Sequence, residues 1–297
     1  MKLHQLRALV ACADHRSLRA AADALALSHP AVTKTVRELE VSLGVPLVVR
    51  SAQGVTLTAH GETLCVRARQ VLADLRRAEE EIHQLKGGQG GRVAIGLTSA
   101  LALFAMPAVL ERMRQSLPYA SIEVSEWTLG TYLDRLRDGT LDFFVSPFPA
   151  VIPPDCDATE LARGRLVAAA RSGHPAVQAT SLQALTAYEW LYPAPVVDRA
   201  QFDDVFLALG HRAPERVTAC DSALLALGLM LQGDTLGLFS RPYAEHPLVR
   251  HGIRIVPVAD TLPEIRLGII HRKDIRLTPT ARQCLNHIRQ VMAQLPW

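Results

Sequence analysis

Aromatic residues are scarce, 5% of the 297 positions, and the longest apolar runs, such as Leu224 to Leu231, stop far short of the roughly 18 residues that a membrane-crossing helix requires. An integral helical membrane protein is excluded. Cysteine is equally thin: Cys12, Cys65, Cys156, Cys220 and Cys284 are odd in number, scattered, and without a CxxC pair or a histidine at zinc-ligand spacing. A disulfide framework is excluded, and small buried thiols in a reducing compartment are expected. The motifs of chemistry are missing too. There is no Gly-x-Ser-x-Gly elbow, no phosphate-cradling Walker loop, no His-Glu-x-x-His, and no dinucleotide glycine fingerprint after Val93 to Gly96. The 11 histidines are dispersed, and His246, His251 and His271 lack metal-ligand spacing. Catalytic residues, a metal and a cofactor are therefore not expected. Near the start, Arg7, Asp14, His15 and Arg16 interrupt the short apolar stretch and no secretory cleavage pattern follows, so a cytoplasmic location is expected.

What is present is an ordinary folded composition, 49% apolar and 21% charged, long enough for two or three domains. Charge is unevenly placed. Residues 1–92 carry 13 Lys and Arg against 9 Asp and Glu, whereas residues 93–297 carry 19 against 20. The basic excess lies at the N-terminus, where a fold has to aim it at a partner before it means more than solvation.

Apolar spacing from Leu3 to Ala13 is helical. Ser17 then reads as an N-cap for a short Ala-rich helix ending near Leu25, and Ser28-His29-Pro30 starts a third helix that stops at Gly44. The short Ala26-Leu27 turn between the last two makes a helix-turn-helix. Pro46 to Arg50 and Gly54 to Leu57 are β-prone runs joined by Ser51-Ala52-Gln53, a wing hairpin. In such a motif the second helix enters the major groove with its N-terminal residues at base edges. The expected DNA-contacting set is Ser28, His29, Pro30, Thr33, Lys34 and Arg37, with Arg50 on a phosphate. Double-stranded DNA is the partner this implies.

From Ala59 to Lys86 the helical pattern runs on, and Leu64, Ala68, Val71, Leu75, Ala78, Ile82 and Leu85 recur in steps of four and three. That narrow seam predicts pairing with a second copy, hence a homodimer. Gly87 to Gly91 reads as a flexible linker. Beyond Arg92, short β-prone runs alternate with helical segments, implying an α/β region with mainly parallel sheets.

Taken over the whole chain, the sequence resembles the LysR-type transcriptional regulators. Ser17-Leu18-Arg19-Ala20-Ala21-Ala22-Asp23-Ala24-Leu25, Leu27 to Lys34, Arg37 to Glu40, Leu43 to Leu47, Arg50, Leu57-Thr58 and Gly61 follow the family's winged-helix signature. Gly139-Thr140-Leu141-Asp142, Gly173-His174-Pro175 and Leu277 to Ala281 match more loosely. The resemblance implies an α + α/β protein with a winged helix-turn-helix at 1–58, a linker (dimerisation) helix and hinge at 59–91, and an effector-binding region at 92–297 folded like a periplasmic solute-binding protein. Subdomain I would hold about 92–162 and 266–297, and subdomain II about 163–265. A dimer pairing into a homotetramer, and RNA polymerase as a further partner, are also implied. One departure is His29, where the family usually carries Gln; histidine offers one contact per ring nitrogen, so the family's half-site preference does not carry over.

In that architecture a small molecule binds between the subdomains, facing strand C-termini and helix N-termini. The expected contacts are Thr98, Ser99, Thr128, Ser146, Val197 and Phe202; Arg199 is the nearby candidate for a charge partner, but a lone loop arginine is more often solvated. Hydroxyls at helix starts suit an anion, and an aromatic acid is the expected effector. Two other functions were weighed. An enzyme would show one of the missing motifs, and a transport-type solute-binding protein would be expected to start with a secretory leader and to carry no helix-turn-helix. Redox sensing at Cys220, or sensing of a protein partner, is the alternative to a small effector.

Overall fold

The computed structural model describes residues 1–51, 54–86, 88, 90–126, 131–149, 151–192 and 198–297. The chain groups into two compact units, Met1–Gly87 with Asp134–Thr140, and Gly88–Leu133 with Leu141–Trp297.

In the first unit, helices α1 (Leu3–His15), α2 (Leu18–Ala24) and α3 (His29–Leu43) precede a hairpin of β1 (Val48–Ser51) and β2 (Gly54–Leu57) and a long helix α4 (Ala59–Leu85). The caps fall where the sequence put them. Ser17 Oγ accepts from Ala20 N, Ser28 Oγ from Ala31 N, and Gly44 ends α3 with φ +72°. Leu9, Cys12, Ala21, Val32, Val36, Leu39 and Leu47 make the core, all fully or almost fully buried.

The start of the hairpin is fixed by backbone contacts. Glu40 Oε1 accepts from Leu47 N at 2.8 Å and Val48 N at 3.2 Å, and Leu47 O accepts from Thr58 N at 2.9 Å. Thr58 donates its hydroxyl to Pro46 O at 2.7 Å and accepts from Gly61 N at 3.0 Å. A Cβ at Gly61 would stand 2.0 Å from Leu47 O, so glycine is the residue this close crossing admits.

Along α4 the buried residues are Gly61, Cys65, Ala68, Ala73 and Arg77. Residues 134–140 pack on this face. Arg69 bonds both Asp14 and Asp138, Gln70 Nε2 donates to Arg137 O at 2.6 Å, and Gly139, at φ +75°, brings its backbone against Ala73. Of the expected seam, Ala68 is buried and Leu64 packs on the winged core, whereas Val71, Leu75, Ala78, Ile82 and Leu85 are exposed.

The second unit runs through β3 (Gly90–Leu97), α5 (Ser99–Phe104), α6 (Met106–Ser116), β4 (Tyr119–Glu126), α7 (Tyr132–Arg137, most of which groups with the first unit), β5 (Phe143–Pro147) and the 16-residue β6 (Cys156–Arg171). It continues with α8 (Leu182–Leu185), β7 (Glu189–Tyr192), α9 (Arg199–Leu207), β8 (Val217–Ala219), α10 (Ala223–Gln232), β9 (Thr235–Ser240), α11 (Arg241–Ala244), α12 (Pro247–Arg250), β10 (Ile253–Ile255), β11 (Glu264–Arg272) and α13 (Pro279–Met292). Strands follow the order β4-β3-β5-β11-β6-β9-β7-β8, with β10 on β6.

Two lobes result. One buries Val93, Ile95, Val109, Phe143, Ile269, Cys284 and Ile288; the other buries Trp190, Phe202, Phe206, Leu182, Leu185 and Leu236. β6 and β11 cross between them, antiparallel to each other, with a register shift between Leu267 and Gly268. A Cβ at Gly268 would meet Phe148 Cε2 at 2.4 Å and Thr159 O at 2.9 Å, which is why the irregular crossing carries glycine.

The expectation of mainly parallel sheets needs correction. β3 pairs parallel with β4 and β5, and β7 with β8 and β9, but every pairing of β6, β10 and β11 is antiparallel. The crossover strands return the chain between lobes and so run against the lobe strands.

Candidate nucleic-acid interface and ligand cavity

The exposed start of α3 presents Ser28, His29, Pro30, Lys34 and Arg37 to solvent, because Val32, Val36 and Leu39 occupy the opposite face in the core. Lys34 Nζ lies 3.9 Å from Glu38 Oε1, an exposed pair too weak to withdraw the lysine from a phosphate. Arg50 is exposed on β1, paired across the hairpin with Val55. Val55 N donates to Arg16 O at 2.9 Å, so the wing is tied to the turn after α1.

Thr33 departs from expectation. Its residue is half-buried, and Oγ1 has no accessible surface and no hydrogen-bond partner among the described residues. The rotamer turns the hydroxyl toward the helix packing, so it offers no donor at the surface.

In the second unit a cavity of about 320 Å³ opens where the two lobes face each other. Thr98 and Ser99 line it from the start of α5, and Asp221, Ser222 and Ala223 from the start of α10; Glu126 at the end of β4 and Tyr243 on α11 complete the polar lining. Leu191, Tyr192, Ala226, Leu238 and Phe239 supply apolar wall. Thr98 precedes α5 without using its hydroxyl as a cap, whereas Ser222 Oγ accepts from Leu225 N at 3.3 Å. Ser99 donates its hydroxyl to Glu126. Burial, and secondarily the charge of Glu126, pushes the Tyr243 phenol above its ordinary value and keeps it a donor. Cys220 also lines the cavity, its thiol donating to Ser222 O at 3.2 Å.

Thr98 and Ser99 therefore stand where the sequence placed them. Ser146 does not: it is fully buried and donates to Pro147 O at 2.8 Å, and Pro147 lines the cavity instead. Phe202 is core, packed in tilted and edge-on contacts with Trp190, Tyr192 and Phe206, and reaches only an adjoining cavity beside Leu238 and Arg266. Arg199 is engaged by Asp203 at 2.7 Å and by Pro214 O at 2.7 Å, so it is not a free partner for a ligand. Thr128 and Val197 lie outside the described residues. Glu126, Asp221 and Tyr243 were missed. For Glu126 the signal existed, since it directly follows a β-prone run as Thr98 does. Asp221 follows β8, a three-residue strand too short to recognise from its alternation.

Among the described residues no cluster of His, Cys, Asp and Glu could hold a metal, no helix is long and apolar enough to cross a membrane, and all five cysteines are buried. Desolvation pushes the Cys12 thiol up to about 11 and Cys284 up to about 12.

Comparison with known proteins gives concordant matches. A family described as bacterial regulatory helix-turn-helix protein, lysR family, matches residues 3–62, and the LysR substrate binding domain matches residues 86–293. The HTH-type transcriptional regulator GbpR of Azospirillum brasilense is 30% identical over 294 residues, 97% of this chain and 86% of that protein. TfdS of Cupriavidus pinatubonensis, also an HTH-type transcriptional regulator, is 30% identical over 299 residues, 99% and 100% of the two chains. Among solved structures, CbnR, a LysR family transcriptional regulator, superposes with a TM-score of 0.72 at 23% identity, covering 98% of this chain and 99% of that one. Full-length OxyR from Pseudomonas aeruginosa gives 0.74 at 20% identity, covering 99% and 95%. At these identities the structural likeness speaks for the fold.

Proposed function

The chain belongs to the LysR family of DNA-binding transcriptional regulators, and from that premise we propose that it is a ligand-responsive regulator whose effector occupies the cavity beside Thr98, Ser99, Glu126 and Tyr243. The observation that carries this reading is the lining itself: one cavity draws on the start of α5 in one lobe and the start of α10 in the other, so an occupant ties both lobes together. A ligand favouring one lobe arrangement shifts its population by its differential affinity for it.

On the DNA side, α3 reads bases through His29, Lys34 and Arg37 while Arg50 contacts phosphate. Domain limits of 1–58, 59–91 and 92–297, dimerisation along the exposed Val71, Leu75, Ala78, Ile82 and Leu85, and tetramer formation belong to the same proposal. Among the described residues the cavity lining offers no cationic side chain to the anionic effector that the helix starts suggested.

The test couples the two sites. Duplex DNA affinity of the full chain should fall steeply with salt, and Arg50→Ala should flatten that slope by about one unit. Filling the cavity with Ala226→Phe should abolish any change in DNA affinity on adding a compound that stabilises the wild type. A response surviving Ala226→Phe would place the effector elsewhere. Redox sensing retains one observation in its favour, the free Cys220 thiol on the cavity wall. Peroxide-dependent DNA binding that disappears in Cys220→Ser would select that reading.

A further inference from the structure

The charge of the cavity is one-sided. Glu126 and Asp221 are its carboxylates, and among the described residues no Lys, Arg or His lines it. Residues 127–130 and 193–197, which follow the lining residues Glu126 and Tyr192, read Trp-Thr-Leu-Gly and Pro-Ala-Pro-Val-Val and add no ionisable side chain. Arg199 and Arg266 are already engaged. Arg199 is held by Asp203 and Pro214 O, and Arg266, on the adjoining cavity, bonds Glu160 at 2.7 Å and lies over Phe148. By contrast, Asp221 has no ion pair or side-chain hydrogen bond among the described residues, and Glu126 is bonded only by the neutral Ser99 hydroxyl.

An anion placed here would face two like charges with no cation to offset them. A cation finds acceptors. An ammonium donates three hydrogen bonds, and the Glu126 carboxylate with the Thr98 and Ser99 hydroxyl oxygens supplies acceptors on the same lining. Both carboxylates are solvent-accessible, which places the charged end of an occupant toward the opening and its body against Leu191, Leu238 and Phe239. A volume of about 320 Å³ holds a compact body, at the lower end of ordinary small-molecule sites, and the adjoining cavity of about 530 Å³ shares Thr98, Ala100, Pro147, Leu238 and Phe239 with it.

We propose that the effector is a small organic cation, a protonated primary amine on a compact apolar or aromatic body, with Glu126 as its principal partner and Asp221 as a second favourable charge. The assignment rests on the reading of this cavity as the effector site.

The experiment is titration calorimetry on the full chain with matched probes: 2-phenylethylamine, 2-phenylethanol and 3-phenylpropionate, then butylamine, 1-butanol and valerate. The amine of each set is expected to bind at least about tenfold tighter than its alcohol and carboxylate. Glu126→Gln should bring that preference close to unity, Asp221→Asn should reduce it by a smaller factor, and Glu126→Lys should reverse it toward the carboxylate. Circular dichroism melting of each variant confirms that it folds. Equal or tighter carboxylate binding by the wild type, an amine preference that survives Glu126→Gln, or no binding by any probe overturns the proposal. Salt-dependent duplex binding by the wild type, measured in parallel, tests the regulator reading separately, so failure of the amine assignment and failure of that reading give different results.

Discussion

Removing the Glu40 carboxylate should loosen the wing before it unfolds the helices. In the intact protein Oε1 accepts from Leu47 N at 2.8 Å and Val48 N at 3.2 Å, and both residues are buried, so neither amide finds water readily when the carboxylate is deleted. A hydrogen bond to an ionised acceptor contributes roughly 1.5–3 kcal/mol, but here two amides share one oxygen on a half-buried side chain. About 2 kcal/mol is the resulting expectation for Glu40→Ala, and less than about 1 kcal/mol for Glu40→Gln, which keeps the oxygen without its charge. Hydrogen exchange reads the effect site by site. Amides of Leu47 and Val48 should exchange roughly 30-fold faster in Glu40→Ala if local opening supplies the route, with little change at Val32 or Leu39 in the helical core. Because Arg50 stands two residues beyond Val48, duplex affinity should fall as well. Unchanged exchange at Leu47 and Val48 would refute the reasoning, since it would mean other contacts hold the strand.

Three further outcomes are expected. Thr33→Val removes a hidden, unpartnered hydroxyl and should leave stability unchanged or raise it by up to about 1 kcal/mol with duplex affinity retained; loss of base selectivity would show that the hydroxyl turns outward on DNA. Gly139→Ala forces a Cβ to 2.6 Å from Ala73 Cβ at a φ of +75°, and should cost at least about 2 kcal/mol in urea unfolding, partly recovered by Ala73→Gly; no recovery would assign the whole loss to backbone strain. Asp260 is held below its ordinary value, chiefly by the His211 hydrogen bond at 2.6 Å and next by Leu182 N. A depressed carboxylate contributes stability above its unfolded pKa and loses it as pH falls through the folded one, so stability should decline below about pH 4, less steeply in His211→Ala. Parallel acid profiles would deny that pair its part.

The winged helix was legible because its determinants are local. Ser17, Ser28-Pro30 and Gly44 cap helices through groups within a few residues, and 3.6-residue periodicity exposes the buried stripe directly. Periodicity marks the apolar stripe of α4 in the same way, and of that stripe Val71, Leu75, Ala78, Ile82 and Leu85 are exposed.

What the sequence alone determined was therefore the helices, caps and wing of the first 58 residues, and that the basic excess belongs to a helix-turn-helix. Tertiary structure decided the rest. It turned Thr33 Oγ1 inward, buried Ser146 and Phe202, engaged Arg199, and brought Glu126 and Asp221, 95 positions apart in number, onto one cavity. Periodicity and capping are short-range and can be read along the chain. Which side chains line a cavity depends on how β6 and β11 set two lobes face to face, a long-range pairing that no local pattern encodes.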